Sequence, residues 1–167
     1  REPRGYSPFC FGGIEMNYQS VLIQLPLVRE VSKDRVRSPE DVARLCADMK
    51  DLAQESFHVL ALNAKNCLIN RVLVSMGLVD ASLVHSREVF RQAIMENAAA
   101  IVLTHNHPSG DPTPSAEDIR ITRQMIEAGK ILGIAVQDHV IIGRESDSQK
   151  GFISLRESGL CDFAKAA

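Results

Sequence analysis

Apolar positions along this chain recur with two spacings, about 2 and about 3.6 residues, the marks of strands with a buried face and of helices with a buried stripe. Residues 57–62 and 67–75 read as strands, and Asn63, Ala64, Lys65 and Asn66 between them supply the turn of a hairpin. Residues 98–104 and 134–142 form two more strands, and 152–155 adds a short one. The run 21–31 is apolar enough for a strand, with Pro26 either breaking it or placing it at an edge. A charged connector at 33–37 follows.

Three segments carry the helical spacing. Ser38 and Pro39 make a cap and a first helical position, and Val42, Leu45, Cys46, Met49, Leu52 and Ala53 follow on one face, a core stripe rather than a cofactor box. Gly77 allows a turn before the apolar run 79–84, and Ser86 then caps a helix from 87 to about 97 that buries Val89, Phe90, Ala93 and Ile94. Ser115 caps the third helix, with Ile119, Thr122, Ile126 and Gly129 on or near one face and Met125 and Leu132 alongside. Its Arg120, Arg123 and Lys130 are a solvated face rather than a phosphate-binding patch. Residues 143–151 are polar loop, and 156–167 read as a weak helix. Strands alternating with helices predict an α/β fold, a mixed sheet flanked by helices.

The chemistry gathers where the 98–104 strand ends in Leu103-Thr104-His105-Asn106-His107-Pro108. Side chains alternate faces along a strand, so His105 and His107 point the same way if the pattern continues past Thr104. Three prolines and a glycine between His107 and Ser115 reverse the chain without regular structure. Asp118 then falls in the first turn of the Ser115-capped helix, where the helix N-terminus stabilises a carboxylate. Two nitrogens and one oxygen can converge, and three such ligands leave one tetrahedral position open, as in catalytic zinc sites. A bare His-x-His is more often a pair of loop histidines, with the aspartate merely complementing the helix dipole. Here the apolar lead-in, the cap, the placement of Asp118 and the rigid turn all agree. By position alone Glu55, between the first helix and strand 57–62, is an ordinary solvated charge. His139, beside Asp138 in strand 134–142, reads as a satisfied core or rim residue, and a supporting role near the ligands is the alternative for either residue.

The spacing His105-x-His107, seven residues, Ser115, two residues, Asp118 resembles the JAMM signature of the MPN/JAB metallopeptidases. Within that family, His-Asn-His-Pro-Ser-Gly followed by Pro-Ser and Asp118 resembles the RadC branch. The similarity runs from about Ser38 to Gly159 and takes in Gln54-Glu55, Arg87-Glu88-Val89-Phe90, Asp138-His139 and Ser154-Leu155. The resemblance implies the MPN/JAB fold, related in shape to cytidine deaminases, with zinc on His105, His107 and Asp118. It implies Glu55 as the catalytic glutamate that moves protons, and Ser115 as the motif serine donating to a developing oxyanion. The implied substrate is a peptide or an isopeptide-linked protein. A DNA-repair or nuclease role and a non-catalytic MPN interaction module are the alternatives, and retention of the three ligands, Glu55 and Ser115 favours the hydrolase. Nucleobase deamination is disfavoured because His-x-Glu and Pro-Cys-x-x-Cys are both missing.

Composition adds bounds. With 167 residues, 45% of them hydrophobic, the chain fits one cored domain over 21–167, preceded by an N-terminal arm or added segment over 1–20. A start at Arg1 rather than Met raises the expectation of a trimmed or extraneous beginning, with Met16 a candidate natural start. A net charge of −2 provides no general field for polyanions, so nucleic acid is not indicated, although a local patch would suffice to bind it. Cys10, Cys46, Cys67 and Cys161 lie far apart, which fits buried or free thiols in a reducing cytoplasm. Neither a signal-peptide pattern nor an apolar run of membrane length is present in the sequence.

Overall fold

A computed structural model describes residues 34–77, 84–146 and 150–163. The expected arm at 1–20, the strand at 21–31 and most of the run 79–84 lie outside the described residues.

β1 (Ser56–Leu62) and β2 (Leu68–Met76) form the hairpin. Its turn is built by Asn63, whose Oδ1 accepts from the amides of Lys65 and Cys67 at 2.8 and 3.0 Å. Asn66 takes a left-handed φ of 58°, which asparagine tolerates better than most residues. β3 (Ala100–Asn106), β4 (Ala135–Ile142) and β5 (Phe152–Ser154) complete a five-stranded sheet in the order β2-β1-β3-β4-β5. β1 runs antiparallel to both β2 and β3, β4 runs parallel to β3, and β5 is antiparallel to β4. A parallel pair needs a long crossover, and α3 (Ala116–Leu132) supplies it. The sheet is mixed and flanked by helices, the α/β architecture expected.

Alternation along the strands buries both faces of the sheet. On one face, Phe57, Val59, Ile101, Leu103, Val136 and Ile141 pack with α2 (Ser86–Met95) and α3. On the other, Leu60, Leu62, Val102, Val140 and Ile142 meet Val42, Cys46 and Met49 from α1 (Pro39–Leu45) and the 3-10 turn after it (Ala47–Asp51). Each fully buried large aliphatic side chain contributes about 1.5–3 kcal/mol, so each face has a hydrophobic core of its own.

Several local expectations are corrected. The first helix is not continuous through the stripe: it ends at Leu45, Cys46 leaves helical geometry at φ −116° and ψ 20°, and a 3-10 turn follows. Arg71 of β2 accounts for the break, because its Nη1 takes the Leu45 carbonyl at 3.2 Å and its guanidinium grips both oxygens of Asp48. Ala53 is consequently exposed. α2 begins one residue early, with His85 at the cap position and Ser86 inside the helix, and Ile94 is 55% exposed rather than buried. Leu132, also expected alongside the core, is 46% exposed at the end of α3. Residues 155–159 are turns and 160–163 are not helical, so the expected helix is absent as far as it is described, 164–167 lying outside the described residues. Cys46, Cys67 and Cys161 are free thiols, and burial pushes Cys46 up to about 11, so it stays protonated. Among the described residues, no helix is long and apolar enough to cross a membrane.

Candidate metal centre

β3 extends two residues beyond its expected end and carries His105 inside the strand, 1% exposed. Its ring stacks on Phe57 of β1 with centroids 6.0 Å apart and planes 10° from parallel. The next imidazole lies just past the strand, where the His107 amide donates to the Ile142 carbonyl at 2.9 Å and continues the β3–β4 ladder. His107 Nδ1 lies 2.8 Å from the Asp111 carbonyl oxygen, which can only accept, so Nδ1 bears a proton and Nε2 is the nitrogen with a lone pair when the ring is neutral.

The loop from His107 to Ser115 is held against the end of β4. Gly110 N donates to His107 O, and Arg144 N donates to Gly110 O at 2.8 Å. Gly143 makes that approach possible: a β-carbon there would collide with the Gly110 carbonyl oxygen and meet Pro112 Cδ at 2.7 Å.

Ser115 and Asp118 form a reciprocal capping box at the start of α3. Asp118 N donates to Ser115 Oγ at 3.1 Å, while Asp118 Oδ2 accepts from Ser115 N at 2.7 Å and from Ser115 Oγ at 2.6 Å. The box turns the Asp118 carboxylate toward the histidines, with Oδ1 at 3.2 Å from His105 Nε2 and Oδ2 at 3.5 Å from His107 Nε2. The two Nε2 atoms are 3.0 Å apart. One ligand atom from each of His105, His107 and Asp118 thus falls within 4.8 Å of the others, a group that can hold a metal ion.

The electrostatics of this pocket suit a cation. Burial alone would push the Asp118 carboxyl upward, but His105, His107 and Ser115 outweigh it and hold the group far below the usual carboxylate range. The hydrogen bond to Asp118 raises His107 against the opposing effect of burial, and the Asp111 carbonyl and the Glu55 charge add to the rise. An acid driven down beside a base driven up means that positive charge among these atoms is favoured. Two imidazole nitrogens and a carboxylate oxygen are ligands that zinc accepts.

Glu55, half-buried at the entry to β1, sits close enough for its charge to act on His107. Among the described residues its carboxylate makes no hydrogen bond, whereas its backbone carbonyl accepts from Gly77 N at 2.8 Å. Ser115 is brought to the site, but its hydroxyl proton is engaged by Asp118 Oδ2.

Asn106 and Thr122 carried no clear signal for the site in the sequence, while for His139 the alternative reading of a supporting role fits its placement. Asn106, 1% exposed, accepts from both the amide and the hydroxyl of Ser56 at 2.8 Å and donates to the Gln54 carbonyl at 3.1 Å, pinning the chain on either side of Glu55. A polar residue alternating between two histidines on a buried strand is the signal that could have found it. Thr122 and His139, both fully buried, connect His105 to α3: His105 Nδ1 is 2.8 Å from His139 Nε2, and His139 Nδ1 is 2.5 Å from Thr122 Oγ1. Burial holds His139 well below its ordinary pKa and keeps it neutral. Asp138 faces elsewhere, its carboxylate taking Ser154 Oγ at 2.7 Å and the amides of His139 and Arg156.

The protein family described as RadC-like JAB domain matches residues 36–160. A UPF0758 protein of Halalkalibacterium halodurans is 44% identical over 138 residues, 82% of this chain and 57% of the relative. A UPF0758 protein of Caldanaerobacter subterraneus subsp. tengcongensis is 52% identical over 129 residues, 77% of this chain and 53% of the relative. One from Listeria monocytogenes is 47% identical over 137 residues, 81% and 59% respectively. The chain spans a little over half the length of the curated relatives it matches.

Proposed function

Because this chain belongs to the RadC-like JAB domain family, we propose that it is a zinc-dependent metallopeptidase of the JAMM type, hydrolysing a peptide or isopeptide bond. The observation that carries the reading is the convergence of His105, His107 and Asp118 within 4.8 Å, with the unbonded carboxylate of Glu55 nearby. In this reading those three residues hold the ion. Zinc so held supplies Lewis acidity, which polarises a carbonyl and makes water nucleophilic near neutral pH.

Glu55 takes the proton of the attacking water and delivers one to the leaving amine, a task for which its carboxylate is free. Asn106 fixes the backbone on both sides of Glu55, so the base is positioned from the strand that also bears His105. Ser115 as placed orients Asp118, and donating to an oxyanion requires its proton to turn away from Oδ2.

The test is elemental analysis of protein purified without added metal, followed by incubation with peptide conjugates, isopeptide-linked conjugates and plasmid DNA. About one zinc per chain is expected, lost in Asp118→Ala, as for a single site of this kind. Amide cleavage is expected to fall about 10²–10⁴-fold in Glu55→Gln with zinc retained. Plasmid nicking abolished by His107→Ala, without amide cleavage, would support the nuclease reading instead.

A further inference from the structure

A backbone carbonyl is an acceptor and nothing else, and the one at Asp118 fixes the protons of three side chains in succession. The Thr122 hydroxyl lies 2.6 Å from Asp118 O and 2.5 Å from His139 Nδ1. Its single proton must go to the carbonyl, since two oxygen lone pairs would otherwise face each other at that distance. Thr122 Oγ1 is therefore the acceptor toward His139, and His139 carries its proton on Nδ1. His139 Nε2 is then a bare lone pair, and at 2.8 Å it accepts from His105 Nδ1. When its ring is neutral, His105 is left with Nε2 unprotonated, directed at Asp118 Oδ1 and His107 Nε2.

We propose that Thr122 and His139 are positioning residues that lock His105 in the Nδ1-protonated tautomer, reserving Nε2 for a metal ion. The proposal deepens the zinc reading above and rests on it for its purpose, though not for its geometry. The burial of all three side chains, 0–1% exposed, excludes water that could substitute for a missing link. The Asp111 carbonyl does the same for His107 without an intermediary, so both imidazoles are set by backbone carbonyls. Partners of this kind govern metal affinity because they settle which nitrogen is free.

The first experiment is long-range ¹H–¹⁵N correlation on the metal-free full chain at a pH where the histidines are neutral. His105 protonated on Nδ1 and His139 protonated on Nδ1 is the expected pattern, and His105 protonated on Nε2 overturns the proposal. The second is zinc affinity by chelator competition. Thr122→Val and His139→Leu should each weaken binding about 10–100-fold, while Thr122→Ser, which keeps the hydroxyl, should bind as the parent does. Equal weakening in Thr122→Ser and Thr122→Val would show that packing alone is at work and would overturn the proposal. If the parent binds no zinc yet shows the expected protonation, the tautomer lock stands and the metallopeptidase reading falls.

Discussion

Asn106 sits between two histidines and is turned away from them, so its contribution runs through the neighbouring strand. Its carbonyl oxygen is the partner of the buried Ser56 amide and hydroxyl, and its amide nitrogen holds Gln54 O. Asn106→Ala strands those groups in a dry place, at a cost of about 1–3 kcal/mol. Urea denaturation should register that loss, and hydrolysis should drop more than zinc affinity, because Glu55 is loosened while the three ligands stay. Equal stability in the variant and the parent would mean that water reaches Ser56 after all. The two imidazoles and the aspartate were legible from sequence because strand alternation and helix capping are local rules, and each places a side chain without knowledge of the rest of the molecule. The roles of Asn106, Thr122 and His139 depend on partners up to 52 residues away in the chain, which no local rule supplies.

At the scale of elements, strands and helices were legible where apolar periodicity was strong, and boundaries failed where one polar side chain overrode it. Arg71 is the clearest instance: by taking the Leu45 carbonyl and the Asp48 carboxylate it ends α1 and starts the 3-10 turn. Arg71 also donates through Nε to His58 Nδ1 at 3.3 Å, and burial together with the Arg71 charge lowers His58 to about 4. The sign follows from linkage. His58 has its ordinary pKa near 6.5 in the unfolded chain, which therefore takes up a proton between about 6.5 and 4 that the folded chain refuses. Stability from His58 is fully present above about 6.5 and is lost as the pH falls toward 4. Allowing for partial solvent access, His58→Gln should flatten the decline between pH 6.5 and 4.5 by on the order of 1 kcal/mol in denaturant titrations. Decline with an unchanged slope would assign it to His139, whose shift also favours folding at higher pH. The loop between β3 and α3 poses a different elementary problem, that of a backbone lying on the end of β4. Gly143→Ala forces the Gly110–Pro112 segment outward. It should cost about 1–3 kcal/mol and weaken zinc binding with it, since His107 and its Asp111 partner ride on that loop.

For the whole described domain, the layered α/β arrangement followed from the alternation of strands and helices, but the sheet order did not. Placing β1 between β2 and β3 is a choice among long-range pairings, and local patterns do not distinguish them. The order matters because it sets β1, with Glu55 at its start, directly beside the strand that ends in the histidines. It also leaves two apolar cores, one on either side of the sheet, built of hydrophobic side chains drawn mostly from β1, β3, β4 and the helices, with none of the three candidate ligands among them. A metal held at the end of β3 would therefore be a ligand of a folded protein and not the organiser of its fold. Removing it with a chelator should leave the secondary structure intact by circular dichroism, unlike a small zinc domain that unfolds without its metal. Returning zinc at about 100 times its dissociation constant should add about 2.7 kcal/mol, a rise in melting temperature of roughly 5–10 °C for a domain of this size. Asp118→Asn keeps an oxygen for the Ser115 cap and loses the charge, so its melting temperature should respond little to zinc. Unfolding of the parent on chelation would instead make the ion a structural staple of the domain.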